Sequence, residues 1–231
     1  PNAQVVIINE NGSNTAETNA EGEFQVDDVL EGSYTIYAGA WGYQLQAIGN
    51  TEISSDNTLT IELEIGYKDD FVLDLGWQTS GTASSGFWER GEPNGTQING
   101  APSNPDQDIP EDVGSTCYVT GNGGGGPGDD DVDDGQVTLT SPIMDLTIYE
   151  NPQISYRTWF VNTGGDGNPN DSLVVRLSNG QEEVILETIT NSRTFWTAPS
   201  TFIAADYLEI TDSMRISFET GDQQAPFGHI V

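Results

Sequence analysis

The sequence predicts an all-β chain made of two sandwiches, a small one followed by a larger acidic one. Three observations carry that prediction. Apolar residues recur with period two in short runs. Clusters rich in glycine, asparagine, aspartate and proline interrupt those runs at short intervals. Helical apolar spacing is nowhere sustained over three turns.

The elements follow in order. Residues 5–8 (Val-Val-Ile-Ile) form a short buried-type run. Tyr34, Ile36 and Ala38 alternate with Thr35, Tyr37 and Gly39, and Leu59, Ile61, Leu63 and Ile65 alternate with Thr60, Glu62 and Glu64. Ile154, Tyr156, Thr158 and Phe160 are expected on one face of a central strand, and Leu173, Val175 and Leu177 on one face of another. Turn chemistry separates them at Glu10-Asn11-Gly12, Ala20-Glu21-Gly22, Glu31-Gly32 and Ser178-Asn179-Gly180. Residues 203–207 allow one helical turn at most. Two long loops, 90–115 and 121–134, appear only after Tyr67-Lys68-Asp69-Asp70. Loops of that length inside a compact domain are functional or ion-stiffened in most cases. The expected domains are therefore residues 1–66 and 67–231.

Composition bounds the function. The 231 residues are 35% hydrophobic and 9% aromatic, enough for two modest cores. No apolar run approaches the ~18 residues of a membrane span, and no basic segment leads into an apolar one as a secretion signal would. The chain starts at Pro1 and ends within the apolar run His229-Ile230-Val231, which predicts a trimmed fragment whose second domain is incomplete at its C-terminus. Six basic residues face 37 acidic ones, for a net charge of −31. Such a surface repels phosphate backbones and anionic lipid heads, which argues against nucleic acid and acidic membranes as partners. Divalent cation sites, a salty habitat and solubility at a cell surface each explain the acidity, and a plain solvated surface stands beside them.

Catalytic chemistry is poorly supplied. Cys117 is alone, so no intrachain disulfide forms, and its Thr-Cys-Tyr-Val setting predicts a buried apolar filler. With one histidine, His229, no zinc ligand set can be assembled, and a Ser-His-Asp triad would depend on that residue without any nucleophile-elbow sequence. The glycine run 123–126 lacks the lysine and helix of a phosphate loop. No Glu-x-Asp-x-x-Glu strand motif of the glycanase kind occurs, although a carboxylate pair brought together by folding stays open. The chain is read as non-catalytic.

The acidic loop is the most chemically loaded segment. Gly123-Gly124-Gly125-Gly126-Pro127-Gly128 leads into Asp129-Asp130-Asp131-Val132-Asp133-Asp134-Gly135. Five carboxylates in six positions repel one another unless something neutralises them. Calcium takes six to eight oxygens from carboxylates, carbonyls and waters, and glycines let carbonyls turn inward. If the loop is extended, Asp129, Asp131 and Asp133 converge. Calcium is therefore the expected cofactor, with Asp131, Asp133 and Asp134 the favoured ligands, Asp129 beside them, and Asp69 or Asp70 completing the set. The alternative is a floppy acidic loop. The spacing is not that of an EF-hand. Asp166 and Asp171 form a weaker second pair. Trp88, with Glu89 and Arg90, is a candidate sugar-stacking platform, against the commoner reading of a core tryptophan. Trp159 and Trp196 read as core.

Residues 3–66 carry a recognisable order: Val5-Val6-Ile7-Ile8-Asn9, then Thr18-Asn19-Ala20-Glu21-Gly22-Glu23-Phe24, Val29-Leu30-Glu31-Gly32-Ser33-Tyr34-Thr35-Ile36, and Gly42-Tyr43. This order resembles the carboxypeptidase regulatory-like, transthyretin-like module. That resemblance implies a small seven-stranded sandwich without catalytic residues, which follows a peptidase domain or sits in cell-surface proteins and stabilises its neighbour. The later motifs are Gly86-Phe87-Trp88-Glu89-Arg90-Gly91, Cys117-Tyr118-Val119-Thr120-Gly121-Asn122, Asp131-Val132-Asp133-Asp134-Gly135 and Leu139-Thr140-Ser141-Pro142. Together with Ile154-Ser155-Tyr156-Arg157-Thr158-Trp159-Phe160, they resemble a jelly-roll-like module near the C-terminus of secreted Bacteroidetes-type proteins, often behind zinc carboxypeptidase domains. In that setting Ser172 and Ser213, in Asp-Ser-hydrophobic triplets, are candidate O-glycosylation sites.

The leading expectation is thus an accessory region of a secreted or cell-surface protein, a metallopeptidase, whose partner is an upstream domain of the same polypeptide. Two alternatives stay open. One is a carbohydrate-binding module meeting a cell-surface glycan or protein. The other is a structural subunit of a surface fibre or adhesin, self-associating through an open sheet edge.

Overall fold

The period-two pattern of the first sixty residues folds into one antiparallel sheet. The computed structural model describes residues 2–54, 57–164 and 171–222. The chain divides into two compact units, Pro1–Leu75 with Asp112–Gly114, and Gly76–Glu111 with Ser115–Val231. The His229-Ile230-Val231 run and Asp166 lie outside the described residues.

In the first unit, β1 (Gln4–Asn9), β2 (Gly12–Glu17), β3 (Gly32–Gly39) and β4 (Gln46–Ile53) lie in the order β2-β1-β3-β4. Glu10-Asn11 turns β1 into β2, and the Asn9 side-chain oxygen accepts the Asn11 N–H at 2.9 Å. Pairing Val5 with Ala38 and Ile7 with Ile36 puts those four side chains on one face, because directly opposed residues point the same way. With Tyr34 they form the buried core. Tyr34 also donates its hydroxyl to the Leu30 carbonyl at 2.8 Å. Burying a Val or Ile in this way stabilises by about 1.5–3 kcal/mol each.

Phe24, Val26, Leu59, Ile61 and Leu63 pack onto this core from segments that carry no strand ladder. Leu59, Ile61 and Leu63 are half-buried between exposed Thr60, Glu62 and Glu64 as expected, but Ile65, expected on the same face, is exposed. The packed segments act as a second layer held by side chains. Gly22, at φ +84°, closes the preceding turn, where the Asn19 side chain accepts the N–H groups of Glu21 and Glu23. Residues 67–75 fold with this unit: Leu73 is buried against Gly39, and Gln4 donates to the Asp74 carbonyl at 2.5 Å.

The second unit holds β5 (Gln78–Gly81), β6 (Trp88–Gly91), β7 (Gln97–Ile98), β8 (Ala101–Pro102), β9 (Cys117–Thr120), β10 (Gly135–Thr140), β11 (Gln153–Tyr156), β12 (Leu173–Ser178), β13 (Glu183–Ile189), β14 (Ser200–Ile203) and β15 (Arg215–Asp222). Five of them form an antiparallel sheet in the order β13-β12-β15-β10-β5, and β11–β14, β6–β9 and β7–β8 are two-stranded sheets. One 3-10 turn, Ala204–Asp206, falls where the sequence allowed a single helical turn.

Leu173, Val175 and Leu177 are buried along one face of β12, as their spacing predicts. Val175 lies opposite Phe218, which lies opposite Leu139, so one apolar face runs across β12, β15 and β10. Cys117 is buried, in keeping with its reading as a filler.

The segment from Ile154 onward differs from expectation. Ile154, Thr158 and Phe160 are buried, but β11 ends at Tyr156 and pairs only with β14 among the described residues. Beyond it, Thr158 exchanges bonds with Thr197, and the Arg193 N–H reaches the Phe160 carbonyl at 2.7 Å. Side-chain periodicity reports which face is buried and not how many neighbours a strand has, so the central placement was wrong.

The two tryptophans read as core have a more specific task. Trp159 donates its indole N–H to the Ser103 carbonyl at 2.5 Å, and Trp196 donates to the Gln107 carbonyl at 3.0 Å. Their rings meet edge to face at 6.0 Å. Both tie the long loop 90–115 to the segments that carry the two rings.

Candidate functional site

The acidic loop is clamped at its centre. Asp130 is 6% exposed, and its two carboxylate oxygens accept the N–H groups of Gly123 at 2.8 Å and Gly125 at 2.6 Å. Its carbonyl accepts the Asn104 amide at 3.3 Å. Asn122 ties the same loop to the β6 side, accepting the Asn94 N–H at 2.8 Å and donating to the Glu92 carbonyl at 2.9 Å. Charge-assisted bonds from backbone amides suit an ionised carboxylate, so Asp130 is spent on closing the loop.

Close backbone approach explains several of the glycines. A Cβ on Gly86 would lie 2.0 Å from the Asp131 carbonyl oxygen, and Gly86 adopts φ +71°. At Gly121, φ +65°, a Cβ would lie 2.9 Å from the Asp130 backbone. The loop therefore sits directly on the chain at residues 86 and 121, which glycine alone permits without strain. A floppy loop is not what these residues form.

Asp131 follows as a buried residue, 4% exposed, and Val132 is wholly buried against Ala83, Val137 and the half-buried Trp88. Burial above all, then the Asp133 charge, with smaller contributions from Asp222 and Asp129, pushes the Asp131 carboxyl up to about 7, against the opposing pull of a hydrogen bond from its own backbone. Its Oδ1 atom has no hydrogen-bond donor among the described residues. Asp133 is half-buried, accepts the Ser85 hydroxyl at 2.7 Å, and forms a β-bridge with Ser85. Asp129 is exposed and accepts the Gly126 N–H at 3.1 Å within a turn. Asp134 is exposed at φ +52° as the chain enters β10. Of the aspartates favoured from sequence, Asp131 and Asp133 are thus set inward, while Asp129 and Asp134 face solvent.

Asp69 and Asp70 belong to the first unit. The Asp70 carboxylate is buried and held by Lys68 at 2.7 Å, and Asp69 accepts the Phe71 N–H at 2.9 Å. Asp171 is buried, and its carbonyl accepts the Asn162 amide at 2.7 Å. Among the described residues, no group of three or more histidine, cysteine, aspartate or glutamate side chains is drawn together as a ready metal cage.

Sequence reading missed Asp222. It is 2% exposed at the end of β15, directly opposite Gly135, and it acts electrostatically on Asp131. Ninety-one residues separate the two, and nothing local in Thr220-Gly221-Asp222 marks the pairing; only the β10–β15 ladder creates it.

The proposed platform is dispersed. Trp88 packs its ring on the Val132–Val137 core, while Glu89 and Arg90 are exposed on β6. Ser172 is half-buried just before β12, and Ser213 is half-buried, donating to Asp212 at 2.9 Å. A separate cleft of about 310 Å³ is lined by Thr158, Glu187, Asn191, Arg193, Thr197 and Ser200, among others. Beside it, Tyr156 donates its hydroxyl to Glu187 at 3.0 Å, and the Tyr156 ring lies between Phe202 and Phe218. Burial and the Glu187 carboxylate hold the Tyr156 phenol above its ordinary pKa.

No helix among the described residues is long and apolar enough to cross a membrane. Neither a curated protein nor a solved structure gives a significant match to the chain. Residues 1–65 match the family model of the carboxypeptidase regulatory-like domain, an accessory and non-catalytic type of module, and the match covers the first unit only.

Proposed function

We propose that this chain is a non-catalytic accessory region of a secreted or cell-surface protein, stabilising and spacing a catalytic domain of the same polypeptide. The observation that carries this reading is the family match over residues 1–65, the segment that holds the first unit's buried core. A metallopeptidase is the favoured parent, because regulatory-like modules of this family take their name from that setting. A strongly acidic second unit suits an extracellular surface, where charge keeps a modular protein soluble. The test is the complete coding sequence together with a deletion. A His-x-x-Glu zinc motif in a neighbouring domain is expected, and deleting residues 1–231 shortens the peptidase's thermal half-life several-fold with little change in activity per folded molecule. Peptidase activity in the isolated 231-residue chain would sink the reading.

A second reading, carbohydrate binding, rests on the cleft and not on Trp88. Hydroxyls from Thr158, Thr197 and Ser200, the Asn191 amide, Glu187 and Arg193 supply the mixed donors and acceptors that sugar hydroxyls require. Glycan-array binding lost in Arg193→Ala and kept in Glu89→Ala supports it; binding unaffected by Arg193→Ala assigns it elsewhere.

A further inference from the structure

A buried carboxylate is stable only when a proton, a donor or a cation neutralises it. Asp130 has two backbone donors, and Asp70 has Lys68. Asp131 has an Oδ1 atom with no donor among the described residues and is 96% buried on the complement of its 4% exposure. Asp222, at 2% exposure the most buried carboxylate among the described residues of the second unit, and half-buried Asp133 both act on it electrostatically.

A second observation lies outside the acidic set. The Thr220 hydroxyl is buried and also has no partner among the described residues. Thr220 stands opposite Val137 and Asp222 opposite Gly135, so both point to the face of β10 and β15 on which Val137 meets Val132. The acidic loop returns over that face. Asp131, next to Val132 in the loop, and Asp222, at the end of β15, thereby flank the same apolar core, near enough for the charge of one to act on the other.

We propose that Asp131 and Asp222 are the carboxylate ligands of one calcium ion held between the acidic loop and the end of β15, with Asp133 adjoining it. The chemistry selects the metal. All the groups are hard oxygens, with no imidazole or thiolate, which disfavours zinc. Two carboxylates match the divalent charge. Calcium accepts carbonyls and waters for the rest of its six to eight positions, so the want of a three-carboxylate cage among the described residues is no obstacle. Bound there, the ion ties the loop at residue 131 to a strand ninety-one residues away and neutralises the charge that burial penalises.

The test uses the full chain in three buffers at pH 7.5: chelator, calcium chloride in excess, and sodium chloride at matched ionic strength. Thermal unfolding and calorimetric titration with calcium chloride are the readouts. At about one hundred times the dissociation constant, calcium is expected to raise the melting temperature by about 5–10 °C, and sodium chloride by much less. Asp131→Asn and Asp222→Asn abolish the calcium response, yet in chelator they melt at or above the unsubstituted chain, which shows that they fold. Asp134→Asn, exposed and outside the set, keeps the full response. An equal shift in matched sodium chloride means that calcium only screens the surface and overturns the proposal. So does a calcium shift that survives in the Asp131→Asn, Asp222→Asn double variant.

Discussion

Replacing Asp130 by alanine probes whether the acidic loop is stapled by its own backbone. The side chain is 94% buried on the complement of its 6% exposure, and it accepts two short backbone bonds, at 2.8 Å and 2.6 Å. Hydrogen bonds to charged groups contribute about 1.5–3 kcal/mol each. Two effects reduce the sum. Gly123 and Gly125 are exposed, so water replaces part of each bond, and removing one charge from among Asp129 and Asp131 relieves repulsion. A net loss of about 2 kcal/mol remains, which lowers the melting temperature of a unit this size by about 4–8 °C. Asp130→Asn keeps one acceptor oxygen but sets its amide NH2 against the other backbone N–H, so it does not restore the second bond. Differential scanning calorimetry gives the shift, and amide exchange locates it: protection at Gly123 and Gly125 falls at least about tenfold, the equivalent of about 1.4 kcal/mol. A melting temperature within 1 °C of the parent, at roughly a quarter of the smallest expected shift, refutes the staple.

Gly86→Ala forces a Cβ against the Asp131 carbonyl and a left-handed residue at once, so the expected loss is at least about 2 kcal/mol, read by urea unfolding; a neutral result means that the loop does not rest on residue 86. Trp159→Phe keeps the ring packing and loses the indole bond to Ser103, costing about 1 kcal/mol and speeding proteolysis within residues 90–115; unchanged proteolysis argues that the loop is pinned elsewhere. In chelator, the folded-state carboxyl of Asp131 titrates near 7 and the unfolded one near 3.8. The native state then binds the extra proton, so stability falls as pH rises between those values, by about 4 kcal/mol in all. Asp131→Asn does not titrate there: its advantage over the parent is absent below about pH 4 and grows until about pH 7. An advantage that is flat with pH contradicts the burial of an ionising group.

Much of the fold was legible because strand periodicity is local. Tyr34, Ile36 and Ala38, and Leu173, Val175 and Leu177, are buried as their spacing predicts, since alternate residues of any extended chain share a face. The same signal over-read residues 59–65, which carry no strand ladder and end on an exposed Ile65, and residues 154–160, whose strand stops at Tyr156 beside one neighbour among the described residues. Hydrogen-bond partners are a property of two segments, and one segment's pattern does not contain them.

The acidic loop divides in the same way. Its charge density and glycines were visible in the chain, and they singled out the place where electrostatics dominates. Which aspartate does what was not visible. Five neighbours of the same type separate into a backbone staple (Asp130), two inward groups (Asp131 and Asp133) and two exposed ones (Asp129 and Asp134) only once the loop has folded onto Gly86 and Gly121. By itself the sequence determined the class of fold, the character of the first module and the segment that must solve a charge problem. The tertiary structure alone decided that Asp222 acts on that segment, because antiparallel pairing of β10 with β15 sets it opposite Gly135, ninety-one residues on from Asp131 yet near enough to raise its pKa.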